Sequence, residues 1–248
     1  MSSLNKQRFI CYDIESTGLD TKNDHIIEIA VALFTFDEII ETFETLIDPG
    51  VPIPEEAIKI HNITDEMVQG KPKIGEVLRD VVKLIGSNII VGHGIKFDID
   101  ILQNAAKRHT VPCTIEHNKR IDTLRLARLY GESPTNSLQA LRRHFNIPEE
   151  GAHRAMSDVI VNIEVFKFLS QNFRSAKELL ERLKKPILMK NMPLGKHKAR
   201  PFSEIPMDYL RWAVHQDFDM DLLFSIKSEL SKRKRKNFAG AASPFSDL

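Results

Sequence analysis

Two kinds of hydrophobic pattern follow one another along this chain. Arg8 to Ile14, Ile26 to Phe36 and Ile39 to Ile47 are rich in apolar, β-favouring residues, and short polar breaks such as Thr17-Gly18-Leu19-Asp20 separate them. Those short separations predict an antiparallel meander. Pro52 and Pro54 then mark a loop, and the period changes. Ile74, Val77, Leu78, Val81, Val82 and Leu84 recur at helical spacing, which predicts a helix over 73–85. Asn88 to Val91 reads as a short buried strand ending in Gly92-His93-Gly94. Helices are predicted over 97–108, from a strand end at 120–123 to Tyr130, over 137–145, and from about Ala155 to Phe173. Strands first, then strands alternating with helices, predict an α/β fold with a mixed sheet.

Composition changes the picture mainly through its distribution. The chain has 248 residues, 42% of them apolar, and a formal net charge of +1, so global charge announces no nucleic-acid partner. Residues 176–248 hold fifteen Lys/Arg against nine Asp/Glu, a local +6, and residues 1–175 hold twenty against twenty-five, a local −5. An acidic body suits metal binding and a basic tail suits phosphate. The expected organisation is a body over 1–175, a charged linker over 176–192, a small module over 193–230, and a basic, disordered tail over 231–248 containing Lys232-Arg233-Lys234-Arg235-Lys236. Two cysteines without ligand spacing exclude a disulfide scaffold. No apolar stretch reaches membrane-spanning length and the N-terminus lacks the apolar segment of a secretory signal, so a cytoplasmic location and no membrane partner are expected.

The candidate chemistry lies in Asp13, Glu15, Asp98, His153 and Asp158. Asp13 and Glu15 stand two apart on a predicted strand, so both point to one face. Side by side at the end of a buried strand they repel each other and lose hydration, costs that a divalent cation removes; a water-facing strand end is the equally available alternative. Asp98 sits in the first turn of a helix that follows a strand end, where it also serves the helix dipole. His153 and Asp158 would lie about 140° apart on one helix, so they can act together only with His153 in the loop before it. Val159, Ile160, Val161 and Ile163 surround Asp158 with apolar residues, as befits a ligated or paired carboxylate.

Three stretches carry a resemblance: Asp13-Ile14-Glu15-Ser16-Thr17-Gly18-Leu19, His93-Gly94-Ile95-Lys96-Phe97-Asp98 and His153-Arg154-Ala155-Met156-Ser157-Asp158. Over residues 7–173 the chain resembles the DnaQ-like, histidine subtype of the DEDD exonuclease superfamily (DEDDh), a group that includes exonuclease X and proofreading subunits of DNA polymerase III. His61-Asn62-Ile63-Thr64 and Ile121-Asp122-Thr123 resemble secondary signatures; Gly94 departs from the asparagine of many members. The resemblance implies a ribonuclease H-like mixed five-stranded sheet flanked by helices, with a small C-terminal α-rich module. It implies two Mg²⁺ or Mn²⁺ ions about 3.5–4 Å apart, with Asp13 bridging both, Glu15 and Asp158 at the first, Asp98 at the second, and His153 as general base. Thr17, Gly18, Leu19, His61 and Phe97 would bind the terminal nucleotide, with Leu19 a wedge against the base. The expected partners are single-stranded or frayed DNA 3′ ends and a DNA polymerase.

Residues 192–212 resemble a module appended to exonuclease X-like proteins; Tyr209 and Trp212, three apart on a predicted helix, are expected to fill a small core rather than stack on bases. The expected function is 3′→5′ removal of nucleoside 5′-monophosphates from DNA. The rivals are an RNA-trimming exonuclease, separated only by contacts near the 3′ sugar, and a catalytically silent adaptor, which the complete set of four acids and a histidine disfavours.

Overall fold

The computed structural model describes residues 4–132, 135–148 and 154–241, and it divides into two compact units, Met1–Leu183 and Lys184–Leu248. The first unit is built on five strands: β1 (Phe9–Ser16), β2 (Ile26–Phe34), β3 (Ile39–Leu46), β4 (Ile89–Gly92) and β5 (Arg120–Asp122). They lie in the order β3-β2-β1-β4-β5. β1–β2 and β2–β3 are antiparallel, while β1–β4 and β4–β5 are parallel. The helices are α1 (Glu55–His61), α2 (Asp65–Val68), α3 (Ile74–Ile85), α4 (Lys96–Arg108), α5 (Thr123–Tyr130), α6 (Leu138–His144), α7 (Ala155–Ser170) and α8 (Ala176–Leu183). The second unit contributes α9 (Met207–Ala213) and α10 (Met220–Ala241).

Strand alternation decides which layer each residue of β1 meets. Ile10, Tyr12 and Ile14 face one way, into a core shared with Leu78 and Val81 of α3 and Ile99 and Leu102 of α4. Phe9 and Cys11 face the other way. The Phe9 ring stacks edge-on against Phe166 of α7 at 5.0 Å, and the Cys11 thiol lies 3.8 Å from the Val159 carbonyl of that helix. α7 is buried between the sheet and a cluster of Ala127, Leu141 and Ile147, which is why its sequence is apolar nearly all round. β2 is buried along its whole length and reads as a continuous apolar run broken only by Glu28. β3 closes the sheet as an edge, largely exposed and studded with Glu41 and Glu44.

This architecture holds the site by stacking strand ends over helix starts. Asp122, the last residue of β5, accepts from Gly94 N and from Leu124 N, both at 2.9 Å, and so ties the turn after β4 to the start of α5. Thr123 lies at the centre of a buried network. Its hydroxyl donates to Asn162 Oδ1 of α7 at 2.6 Å and lies 3.1 Å from His93 Nδ1. Asn162 in turn reaches the Cys11 sulfur at 3.4 Å.

The boundary between units differs from the sequence-based expectation. Residues 176–183 form α8 inside the first unit, with Leu179 and Leu183 buried, rather than part of a linker. The second unit has its own small core of Met192, Phe202, Ile205, Leu210, Ala213, Leu222 and Ile226. Tyr209 joins that core, whereas Trp212 is 52% exposed and does not fill it. α10 continues through the basic cluster expected to be disordered. Arg233 anchors it by donating to the Phe202 and Ile205 carbonyls, at 2.8 and 2.9 Å, and pairing with Glu229 at 2.7 Å.

Candidate active site

β1 ends with its two carboxylates side by side, and the two helix starts bring others to them. Oxygens of Asp13, Glu15 and Asp158 all lie within 4.8 Å of one another. Asp158 arrives because α7 begins at Ala155 and crosses the face of β1 that Asp13 occupies. Asp98 comes from the first turn of α4, on the opposite layer. It is 8% exposed, and its Oδ1 accepts the Ile14 amide at 3.2 Å, the peptide N–H between the two strand acids. Asp13, Glu15, Asp98 and Asp158 are thus brought together. His153 lies outside the described residues.

Electrostatics make this gathering costly for the bare protein. Burial, then the charges of Asp98, Glu15, Asp158 and Glu28, push the Asp13 carboxyl well above the ordinary carboxylate range. Burial and the neighbouring Asp158, Glu28 and Asp98 raise Glu15 to about 7. Burial also raises Asp98 to about 7, against the pull of the Ile14 amide. Hard oxygen donors of one charge, half-buried and crowded, form the donor set that Mg²⁺ or Mn²⁺ prefers, so the residues present fit a divalent ion.

A pH-dependent metal effect follows. In the unfolded chain these carboxyls titrate near 4 or just above. In the metal-free folded protein Glu15 and Asp98 hold their protons to about 7. Between those values the folded state binds more protons, so its stability falls as pH rises through the window. An added cation displaces the protons. Mn²⁺ should therefore raise the melting temperature more at pH 8 than at pH 5.5, measured by thermal melts against EDTA. Equal shifts at the two pH values would contradict a carboxylate-held ion.

The expected nucleotide-binding residues are in different states, with Thr17, Gly18 and Leu19 in the loop after β1, His61 at the end of α1 and Phe97 in α4. Thr17 is buried and occupied: its hydroxyl donates to Asp24 Oδ1 at 2.9 Å and accepts the His25 amide at 3.0 Å. Gly18 packs so closely that a Cβ there would sit 2.5 Å from Asp24 Oδ2. Leu19 is 87% exposed, an apolar side chain held out at the loop tip. His61 is buried beside Glu28 and the Ser16 backbone; its Nδ1 accepts the Ile63 amide at 3.0 Å, and burial holds its pKa down. Phe97 packs against the core beneath α4.

Sequence reasoning missed Glu28 and Arg154. Glu28 is fully buried, opposite Glu15 in the β1–β2 register. Its Oε1 accepts from Arg154 Nε and Nη2, at 2.8 and 2.7 Å, and its Oε2 accepts the Ala155 amide at 3.0 Å. It thus joins β2 to the start of α7. The available signal was a lone ionisable residue within a nine-residue apolar strand.

A mixed sheet in this order, with acids from β1, α4 and α7 meeting at the end of its central strand, has the ribonuclease H-like exonuclease fold. The chain belongs to the DEDDh, DnaQ-like exonuclease family, whose model, described as "Exonuclease", matches residues 10–166. It is 33% identical over 159 residues to the DNA polymerase III subunit epsilon of Aquifex aeolicus, covering 64% of this chain and 78% of that one. It is 34% identical over 174 residues to the PolC-type DNA polymerase III of Clostridium perfringens. That match covers 70% of this chain but only 12% of the relative, so the chain spans about a tenth of the length of PolC-type relatives. A solved structure of exonuclease X in complex with 5′ overhanging duplex DNA is similar with a TM-score of 0.54 and 26% identity, covering 70% of this chain and 98% of that one. Residues 180–224 match a separate family described as "Putative quorum-sensing-regulated virulence factor".

Proposed function

We propose that this chain is a divalent-metal-dependent 3′→5′ exonuclease that releases nucleoside 5′-monophosphates from DNA 3′ ends, in repair or proofreading. The observation that carries the reading is the convergence of Asp13, Glu15 and Asp158, with Asp98 bonded to the peptide between the two strand acids. These four carboxylates would hold two ions, Mg²⁺ or Mn²⁺. Such ions, when bound, neutralise charge on the phosphodiester and lower the pKa of water. His153 takes the proton of the attacking water as general base. The Glu28–Arg154 pair anchors the residue that follows His153 in sequence. Leu19 offers its exposed side chain to the face of the terminal base, and Gly18 permits the tight turn beneath it. Contacts of this kind read sugar, phosphate and stacking faces, so little sequence preference is expected. The relatives' names, a polymerase subunit and an exonuclease bound to DNA, support DNA as substrate and a DNA polymerase as partner. Among the described residues no helix is long and apolar enough to cross a membrane.

The test is a time course on 5′-labelled single-stranded DNA and RNA with Mg²⁺, Mn²⁺ or EDTA. A metal-dependent ladder shortening from the 3′ end, faster on DNA, is expected, and His153→Ala should slow it by about 10²–10⁴-fold. Intact oligomers with every metal would favour the silent adaptor. Faster trimming of RNA would overturn the choice of DNA.

A further inference from the structure

The second unit carries a basic surface of its own. Residues 184–248 hold thirteen Lys/Arg and seven Asp/Glu, a local +6, against −5 for residues 1–183. On α10 that excess is sorted by helix face. Arg233 is spent on structure, paired with Glu229 and capping carbonyls of Phe202 and Ile205. Phe224, Lys227, Ser228, Ser231, Lys232 and Arg235 fall within an arc of about 140° on one side of the helix and border one open surface region. Lys227, Lys232 and Arg235 are exposed and make no ion pair among the described residues. Among the described residues no acid borders this region. Phe224 is 40% exposed at its N-terminal end.

We infer that this face of α10 binds single-stranded nucleic acid, with Lys227, Lys232 and Arg235 on successive phosphates and Phe224 stacked on a base. Cations spaced along one helix face, hydroxyl donors between them and an aromatic at one end are parts that such binding uses. A single strand is the committed ligand because a duplex keeps its base faces stacked and leaves Phe224 nothing to cover. The ligand's identity rests on the nuclease reading.

The experiment uses the full chain in EDTA, where no cleavage interferes, and a fluorescent 20-nucleotide single strand followed by anisotropy across a salt series. Replacing all three cations (Lys227→Gln, Lys232→Gln, Arg235→Gln) should weaken binding at least about tenfold at low salt. It should also lower the slope of log K against log salt by about 2, at roughly 0.7 per phosphate contact. Phe224→Leu should cost at least about fivefold with the slope unchanged. Hydrolysis of the p-nitrophenyl ester of thymidine 5′-monophosphate in Mn²⁺, a substrate too small to bridge several phosphates, should be equal in all variants. Loss of that ester activity in the unmodified chain would sink the nuclease reading and leave the anisotropy result standing. Unchanged affinity and slope in the triple variant would overturn this binding face. So would polyglutamate competing as well as an equal charge of DNA, which would indicate an acidic protein ligand, or a dimer that the triple variant dissolves.

Discussion

Asp13→Asn should abolish exonuclease activity and make the metal-free protein more stable. The two halves have one cause. Asp13 sits amid Asp98, Glu15, Asp158 and Glu28, and burial and those charges together raise its pKa. Without a cation this carboxylate is a liability, and the isosteric amide removes its charge without leaving a cavity. Under the two-ion reading it is also the one group shared by both ions, so its loss should cost at least about 10³-fold in kcat/KM, or about 4 kcal/mol at 1.36 kcal/mol per decade. Relief of repulsion worth about 1 kcal/mol would raise the melting temperature by roughly 2–4 °C in a domain of this size. The trade is that of a site held against its own electrostatics for function. The check pairs the labelled-DNA time course with melts in EDTA at pH 8. A carboxylate with a purely structural role would give the opposite sign, a lower melting temperature, and that result would remove Asp13 from the metal centre.

The acids of the site were legible in the sequence because their positions follow from local rules. Alternation along β1 puts Asp13 and Glu15 on one face, and a helix start after β4 carries Asp98 back over the same strand end. Asp158 was legible as a charge set in an apolar helix; what the sequence withheld was its distance from the others, which depends on how α7 crosses the sheet. The network that supports the acids was not legible. Thr123, Asn162 and Cys11 are each ordinary in local context, and their contacts span 39 and 151 residues of sequence. α1 and α2 were missed because two prolines dominate the local signal while burial of Ile53, Ala57, Ile63 and Val68 under β2 decides the structure. The helical run of α10 was misjudged for the same reason. Lys232 to Lys236 reads as a repelling charge block, yet one tertiary anchor at Arg233 consumes the positive charge that faces the module.

Arg154→Ala should cost more than Glu28→Gln, although the two residues share one ion pair. Glu28 is 0% exposed, while the Arg154 side chain is 42% exposed, so the partners differ in what each leaves behind. Removing the arginine strands a buried carboxylate with only the Ala155 amide, and that carboxylate then faces Glu15 across the strand pair without compensation. A loss of about 3 kcal/mol is expected, the usual scale for an uncompensated buried charge. Glu28→Gln keeps an acceptor for Ala155 and lets the guanidinium turn to water or to Glu44, 3.8 Å away, so about 1–2 kcal/mol is expected. In the double variant the stranded charge is gone, and its stability should exceed that of Arg154→Ala alone, a coupling that additive sites never show. If the four carboxylates hold the proposed ions, activity in saturating Mn²⁺ should fall about 10- to 100-fold in Arg154→Ala, the scale for a residue that orients metal ligands without touching the ion. The pair fixes the start of the helix that bears Asp158 and the residue after His153, so its loss acts on kcat. Urea denaturation of the three variants, with kcat and KM measured separately, decides the matter: equal destabilisation by the two single changes, or a double variant no more stable than Arg154→Ala, would mean that the buried charge is not what holds α7 to β2.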